Sequence, residues 1–444
     1  MVNKILKTVI LILMVVGIIL GISITVKKAI PEKNKKDRDE KLFSMMQTKS
    51  AEATKFYVYG RAFNINGKIN NINEENFEGA KLVITDGFDY EREYSLNYTF
   101  EENNFIFSSD TEMNSGIIID ELQPSEYYIF LRLKLNNSKD PKYYSFSNST
   151  NYENFEYYTM TSNNYNQKAK IEFSEMNDGK NTYNVLKISL EQCELPENIY
   201  DIVIDAGHGG TDSGENAGAD TEADIALEYA KETKQRLEEL GYKVKLTRDD
   251  NNTELYTDTN MYDEDGRITV ACSSKAKLMI SYHINQGGSG LSGFEIYCPP
   301  KSNLEFAEQM ANNIKKYSSI NYSNNNSFKK ADGVYVRNFT NSVIKDFENT
   351  ANRKGYEPYN ITNDTPYLYT IREVGGIATG AYVDGRNTSY SANKYYNSIQ
   401  GIECYQIELG YIKNDLNTIK NEKTNYIRGI VEAIENNFKI NSKD

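Results

Sequence analysis

The chain is 444 residues long, room for two or three domains of ordinary size. Its formal net charge of −13 excludes the basic footprint that a nucleic-acid partner requires, and it gives no electrostatic grip on anionic polymers or lipid headgroups. It holds two histidines, no tryptophan and four cysteines (Cys193, Cys272, Cys298 and Cys404); none sits in a CxxC spacing, and they read as small buried thiols rather than disulfides or metal ligands.

Residues 8–26 form an uncharged apolar run of 19 residues between Lys4 and Lys7 on one side and Lys27 and Lys28 on the other. A helix of that length just spans a bilayer core of about 30 Å. The run is longer than a signal-peptide core and no small-x-small site follows it, so an uncleaved transmembrane anchor is expected. Basic residues are more numerous after the run than before it, which by itself favours the C-terminal side inside. Large domains translocate regardless of such counts, and the chemistry below needs the outside, so the bulk of the chain is placed there. Residues 27–53 are charged and lack a core-forming period; they read as a linker, partly helical around 40–47.

Residues 54–192 predict an all-β, sandwich-like domain. Short alternating runs at 56–63, 80–84, 94–100, 105–107, 116–119, 127–135, 168–173 and 183–190 are separated by Asn, Asp, Gly and Ser clusters. The stretch Leu122-Gln-Pro-Ser-Glu-Tyr127 is similar to the corner before a late strand of immunoglobulin-like domains. This domain carries no catalytic constellation; it reads equally as a module for wall material or a partner, or as a spacer.

From 198 to 440 the rhythm changes to strands alternating with helices. Strands are expected at 200–205, 243–247, 277–282, 294–298 and 402–409, and helices at 222–240, 303–318, 341–354 and 421–437. The helix at 222–240 presents Ala226, Ala230, Thr233, Leu237 and Leu240 on one face and ends at Gly241. The fold class is α/β, with a mixed, largely parallel sheet flanked by helices. Ligands of such sheets gather at the carboxyl ends of the strands.

Both histidines lie at such ends, His208 in Val203-Ile-Asp-Ala-Gly-His-Gly-Gly210 and His283 in Leu278-Met-Ile-Ser-Tyr-His-Ile-Asn285. Catalytic zinc takes three protein ligands from His, Glu, Asp or Cys and keeps one position open. Glu222, which opens the helix after the His208 loop, is the candidate third ligand; the alternative is an ordinary acid at a helix start. A zinc hydrolase also needs a proton carrier. Glu408, near the carboxyl end of an apolar strand, suits that role, and Glu403 at the other end of the run is its competitor.

Six ordered stretches resemble the motif set of the zinc-dependent N-acetylmuramoyl-L-alanine amidases of the amidase 3 family, over residues 200–438. They are 203–210, Thr221-Glu-Ala-Asp-Ile-Ala-Leu227, Val244-Lys-Leu-Thr-Arg-Asp249, Ile280-Ser-Tyr-His-Ile-Asn285, Gly293-Phe-Glu-Ile-Tyr297 and Ile407-Glu-Leu-Gly-Tyr-Ile-Lys-Asn414. The resemblance implies His208, Glu222 and His283 as Zn2+ ligands and Glu408 as the catalytic acid. It implies hydrolysis, in peptidoglycan, of the amide between N-acetylmuramic acid and the L-alanine of the stem peptide, and a place on the wall side of a bacterial membrane.

Asp205 and Asn285 are expected to orient the histidines or to serve as strand-end turn residues. Arg372 is expected to bind a substrate carboxylate or to form a structural ion pair. The Asn-rich segment 320–365 and a second insertion at 379–400 depart from the family pattern; they read as a lid answering to a protein regulator, or as surface elaboration. A zinc peptidase acting on stem-peptide bonds would use the same residues, and an inert anchored wall-binding protein is a further alternative. Ser-x-x-Lys occurs four times without a Ser-Asp-Asn or Lys-Thr-Gly partner, which removes a serine wall enzyme. No Gly-Lys-Ser/Thr follows the glycines at 207–214, which removes a phosphate loop.

Overall fold

The structure is a computed structural model describing residues 32–438, apart from 112–114, 151–153, 161–165, 254–265, 301, 303, 356–360, 377–379, 382–390, 393–394 and 396–399. The expected membrane segment lies outside the described residues. Among the described residues, no helix is long and apolar enough to cross a membrane.

The segment read as a linker is partly built into the fold. Glu32–Met45 is a helix, and the first strand begins at Ala51. Leu42 and Met46 are buried against Val83, Tyr128, Phe130, Tyr183 and Val185. Arg38 is buried beside them, 2.8 Å from Glu126 and over the Tyr128 ring. The helix covers the outer face of a sheet, which explains the unbroken apolar run Tyr127-Tyr-Ile-Phe-Leu131. A strand covered on both faces does not alternate.

Two seven-stranded sheets make the N-terminal domain. The first runs Phe146–Asn148, Ala51–Tyr59, Ala62–Asn70, Asn104–Ser108, Asn97–Glu101, with Ile117–Ile118 also on Ala62–Asn70 and Gln400–Gly401, from the C-terminal part of the chain, also on Ala51–Tyr59. The second runs Asn154–Tyr158, Asn166–Asn177, Thr182–Cys193, Glu126–Leu135, Phe77–Thr85, Glu91–Tyr94, with Lys142–Tyr144 also on Glu126–Leu135. Phe56, Ile65, Phe105, Ile129, Leu131, Ile171 and Ile188 belong to the larger core of this domain. At the corner, the Tyr127 hydroxyl donates to the Gln123 carbonyl at 3.0 Å.

The C-terminal sheet has seven strands: β1 (Ile202–Ala206), β2 (Val244–Leu246), β3 (Leu278–Asn285), β4 (Glu295–Tyr297), β5 (Lys329–Ala331), β6 (Val334–Tyr335) and β7 (Glu403–Tyr411). Their order is β2-β1-β3-β7-β4-β6-β5. The first four are parallel, and β4 runs antiparallel to β7. The helices are α1 (Glu222–Glu239), α2 (Arg267–Ser273), α3 (Glu305–Tyr317), α4 (Asn341–Lys354), α5 (Tyr369–Val374), α6 (Ile412–Asn421) and α7 (Lys423–Phe438). One face packs Ile202, Ile204, Ile280, Tyr282, Tyr405 and Ile407 against α1, α3 and α7. The other packs Val203, Met279 and Cys404 against α2 and α5. Strand alternation puts Asp205, Ser281, His283, Gln406 and Glu408 on this second face.

The turn-forming sequence Lys413-Asn-Asp lies within helix α6. Ile412, Leu416 and Ile419 repeat at helical spacing, and the Asp415 carboxylate accepts from the backbone of Tyr411 and Gly293, each at 2.8 Å.

The two domains meet at the amino ends of β3 and β7. Val58 and Tyr59 pair with Gln400 and Gly401. Met160 joins the C-terminal core. Arg61 donates to the Asn437 carbonyl at 2.9 Å and lies over the Phe438 ring. Lys277, fully buried, has its ammonium 5.4 Å from the Tyr157 ring centroid. Tyr157 donates to Asp120 at 2.9 Å. Burial pushes the Lys277 ammonium down and the Asp120 carboxyl up.

Candidate metal centre

β1 ends in the loop Gly207-His208-Gly209-Gly210, which must turn at once to clear the sheet. His208 sits at φ 60°, Gly209 at φ 123° and Gly210 at φ 61°. A non-glycine residue in this left-handed region stores roughly 1–3 kcal/mol, held here by the surrounding bonds. Arg248 donates to the carbonyls of Ala206, Gly207 and Ala223 at 3.0, 2.8 and 2.9 Å. Arg267 donates to those of Ala206 and His208 at 3.0 and 2.8 Å. Both guanidinium groups are buried.

Asp212 closes the loop. Its Oδ2 lies 2.8 Å from His208 Nδ1, its Oδ1 accepts from Gly214 N at 3.0 Å, and its carbonyl accepts from Gly209 N at 2.8 Å. The chain then enters α1, capped by Thr221, whose hydroxyl oxygen accepts from Asp224 N at 3.1 Å. The cap fixes Glu222 at the first helical position. Glu222 Oε2 accepts from Glu215 N at 2.9 Å and Oε1 from Ile284 N at 2.8 Å.

The ligand atoms converge. His208 Nε2 is 2.9 Å from Glu222 Oε1, and His283 Nδ1 is 3.1 Å from that oxygen and 3.2 Å from His208 Nε2. Zinc bonds of roughly 2.0–2.1 Å at tetrahedral angles put ligand atoms about 3.3 Å apart, so this donor set fits the ion. Among the described residues it is the group of His, Cys, Asp and Glu able to hold a metal. Two glycines make room for it. A Cβ at Gly207 would lie 2.4 Å from His283 Cε1, and one at Gly214 would lie 2.6 Å from Glu222 Oε2.

Charge follows geometry. Burial disfavours the His208 imidazolium, but Asp212 and Glu222 outweigh it and raise the group to about 9. Burial opposes the Glu222 carboxylate, but hydrogen bonds from both histidines hold it well below the usual range. Burial lowers His283.

Glu408 stands beside His283 across the parallel pair β3–β7. Burial, then the Glu222 carboxylate, pushes its carboxyl up to about 8. Gln406 Nε2 donates to Glu408 Oε1 at 2.9 Å. On the other side, paired with Glu408, is the buried Glu295. It accepts from Tyr411 at 2.6 Å and from Tyr297 and Ser323 at 2.7 Å. Glu403 sits at the amino end of β7, beside Leu278, bonded by the Tyr405 hydroxyl and far along the strand from His283.

Three further candidates had two expected roles each. Asp205 bonds to neither histidine; it accepts from Thr247 and Ser281, each at 2.6 Å, and pairs with Arg267. Its influence reaches His208 only through Arg267 and the loop carbonyl. Asn285 Nδ2 is buried with no hydrogen-bond partner among the described residues, so it orients no histidine. Arg372 forms the structural ion pair that was one of its two expected roles. It is buried, paired with Glu373 at 2.8 Å, donates to the carbonyls of Pro366 and Tyr367 at 3.2 and 2.7 Å, and lies over Phe339. Asp212 holds the imidazole that Asp205 and Asn285 were expected to hold. A carboxylate in a glycine-rich loop has no periodic signature; only its place four residues after His208 hinted at it.

The long segment 320–365 contributes β5, β6 and α4, with Phe339, Val343, Ile344, Phe347, Ile361 and Tyr367 in one apolar cluster. Most of 379–400 lies outside the described residues.

A family model described as N-acetylmuramoyl-L-alanine amidase matches residues 202–354. The chain is 40% identical over 95 residues to an endolysin of Bacillus phage SPP1, covering 21% of this chain and 32% of that protein. It is 34% identical over 103 residues to a germination-specific N-acetylmuramoyl-L-alanine amidase of Bacillus subtilis, covering 21% of this chain and 44% of that one. The chain spans about half or less of the length of the curated relatives it matches. Among solved structures, it is similar to the amidase AmiC2 of Nostoc punctiforme at 20% identity and a TM-score of 0.35, covering 55% of this chain and 98% of that one. Residues 202–354 are thus similar to the N-acetylmuramoyl-L-alanine amidases of the amidase 3 family.

Proposed function

We propose that the protein is a membrane-anchored peptidoglycan hydrolase that cleaves the amide between N-acetylmuramic acid and the L-alanine of the stem peptide. The observation that carries this is the convergence of His208 Nε2, Glu222 Oε1 and His283 Nδ1 within 2.9–3.2 Å of one another, one strand from the buried Glu408. His208, Glu222 and His283 would hold a zinc ion. When bound, that ion supplies Lewis acidity toward a carbonyl oxygen and makes water acidic near neutral pH. Asp212 keeps the His208 ring turned so that Nε2 faces the ion. Glu408 takes the proton of the attacking water on Oε2 and returns it to the nitrogen of the departing L-alanine. A carboxyl raised by burial suits both halves of that exchange.

The uncharged run at 8–26 supports the anchor, and the proposed substrate class supports a wall-side C-terminal domain.

The test is product analysis. The full chain, purified in detergent and loaded with zinc, is incubated with purified peptidoglycan, and products are identified by mass spectrometry. Intact stem peptides beginning at L-alanine are expected, with about one zinc per chain. Glu408→Gln is expected to keep the zinc and to lower the rate by roughly 100-fold or more. Cuts within the stem peptide instead would make the protein a zinc peptidase, and zinc binding without any cut would leave it a wall-binding protein.

A further inference from the structure

We infer that Gln406 is a positioning residue for Glu408, and that Thr370 is its support. Together they hold one carboxyl oxygen and leave the other to carry the proton. The inference rests on the proton-carrying role proposed for Glu408.

Gln406 and Glu408 are two residues apart on β7 and so share a face. Across the strand pairs Gln406 stands beside Ser281 and Tyr297, and Val203, Met279, Ile371, Val374 and Cys404 are buried on the same face. Gln406 is itself buried. An amide in such a place costs free energy unless its groups are bonded. Both of its ends are. Gln406 Nε2 donates to Glu408 Oε1 at 2.9 Å, and Gln406 Oε1 accepts from the Thr370 hydroxyl at 3.1 Å. Thr370 is wholly buried on α5, the helix that covers this face.

The direction of the chain is set by chemistry. A carboxylate only accepts, so the amide nitrogen faces Glu408 and the amide oxygen is left for a donor. Thr370 is that donor. Among the described residues no hydrogen bond reaches Glu408 Oε2. An arriving proton therefore settles on Oε2 while Oε1 goes on accepting from Gln406, so the geometry is the same before and after proton transfer. The amide is needed for direction, not for filling.

The experiment uses the full chain, zinc-loaded, and measures kcat, KM and metal content together. Gln406→Met is near-isosteric and removes both bonds. Its kcat is expected to fall roughly 10–100-fold, the cost of displacing a reacting group by about 1 Å, with KM and zinc content unchanged. Thr370→Val is expected to lower kcat in the same direction by less, and Thr370→Ser, which restores the hydroxyl, to recover it. A group that merely filled space would not separate Val from Ser in this way. An active wild type with Gln406→Met at the same kcat overturns this inference alone, as do equal activities of Thr370→Val and Thr370→Ser. That second pair decides the matter if Gln406→Met loses zinc or fails to fold. No hydrolysis by the wild type overturns the functional reading, and this inference with it.

Discussion

Asp212 reaches His208 Nδ1 at 2.8 Å from within the same loop, so one carboxylate fixes both the tautomer and the tilt of the ring. Asp212→Ala is expected to weaken zinc binding by roughly 10–100-fold, read by competition with a chelator. Unchanged affinity would mean that the loop backbone alone orients the ring. The same residues set a pH dependence in the metal-free protein. His208 is raised to about 9, so its contribution to stability is complete below about 6.5 and is lost as pH rises through 9. Glu408, raised to about 8, acts in the same direction, because the folded state holds a proton that the unfolded carboxyl releases near 4.5. The metal-free melting temperature should therefore fall between pH 6.5 and 9. Zinc affinity should rise over that window, on the order of tenfold per pH unit, because the ion must displace the His208 proton. A flat titration would show that the ring is already neutral. His208, Glu222, His283 and Glu408 were legible in the sequence because each lies at a strand end or a helix start, where periodicity changes. Asp212, Arg248 and Arg267 were not. Their roles depend on which loop carbonyls face them, and no spacing encodes that.

Helix Glu32–Met45 shows how a charged segment hides a docking face. Arg38, Leu42 and Phe43, with Met46 just past its end, carry its contact with the second sheet, too few to stand out among its lysines and acids. The hint lay in the sheet, where Tyr128 and Phe130 point away from the sandwich core. Leu42→Ala is expected to destabilise the chain by about 2–4 kcal/mol in urea unfolding. A change below about 0.5 kcal/mol would return the helix to the status of a linker. α5 makes a second case. Its Arg372 leaves Glu373 fully buried beside it, so Arg372→Ala is expected to cost about 3–5 kcal/mol with KM unchanged. A raised KM without loss of stability would restore the substrate role that burial denies it. The core strands were legible from their apolar runs, whereas α6 was masked by turn-forming Asn and Asp. There the stripe Ile412, Leu416, Ile419 prevailed, because burying three apolar side chains outweighs a local preference for turning.

The contact between the domains lies at the amino ends of β3 and β7, and the candidate metal centre at their carboxyl ends. The N-terminal domain is therefore seated behind the site, not over it. The junction has the character of a core. Met160 crosses into the C-terminal cluster, a strand pair joins Val58 and Tyr59 to Gln400 and Gly401, and Lys277 is buried against Tyr157. Separating the domains would leave a cavity at Met160 and bring Lys277 and the edge of the Ala51–Tyr59 strand into water. Such a contact couples two folding units into one. Calorimetry on the full chain in detergent should show a single transition with matching calorimetric and van't Hoff enthalpies. Zinc distinguishes the alternatives, because it binds only the folded C-terminal domain. If the junction couples the domains, added zinc moves the whole transition upward, including the part contributed by the β domain. If they are merely adjacent, zinc splits the trace, with the β domain melting at its former temperature and only the C-terminal peak moving.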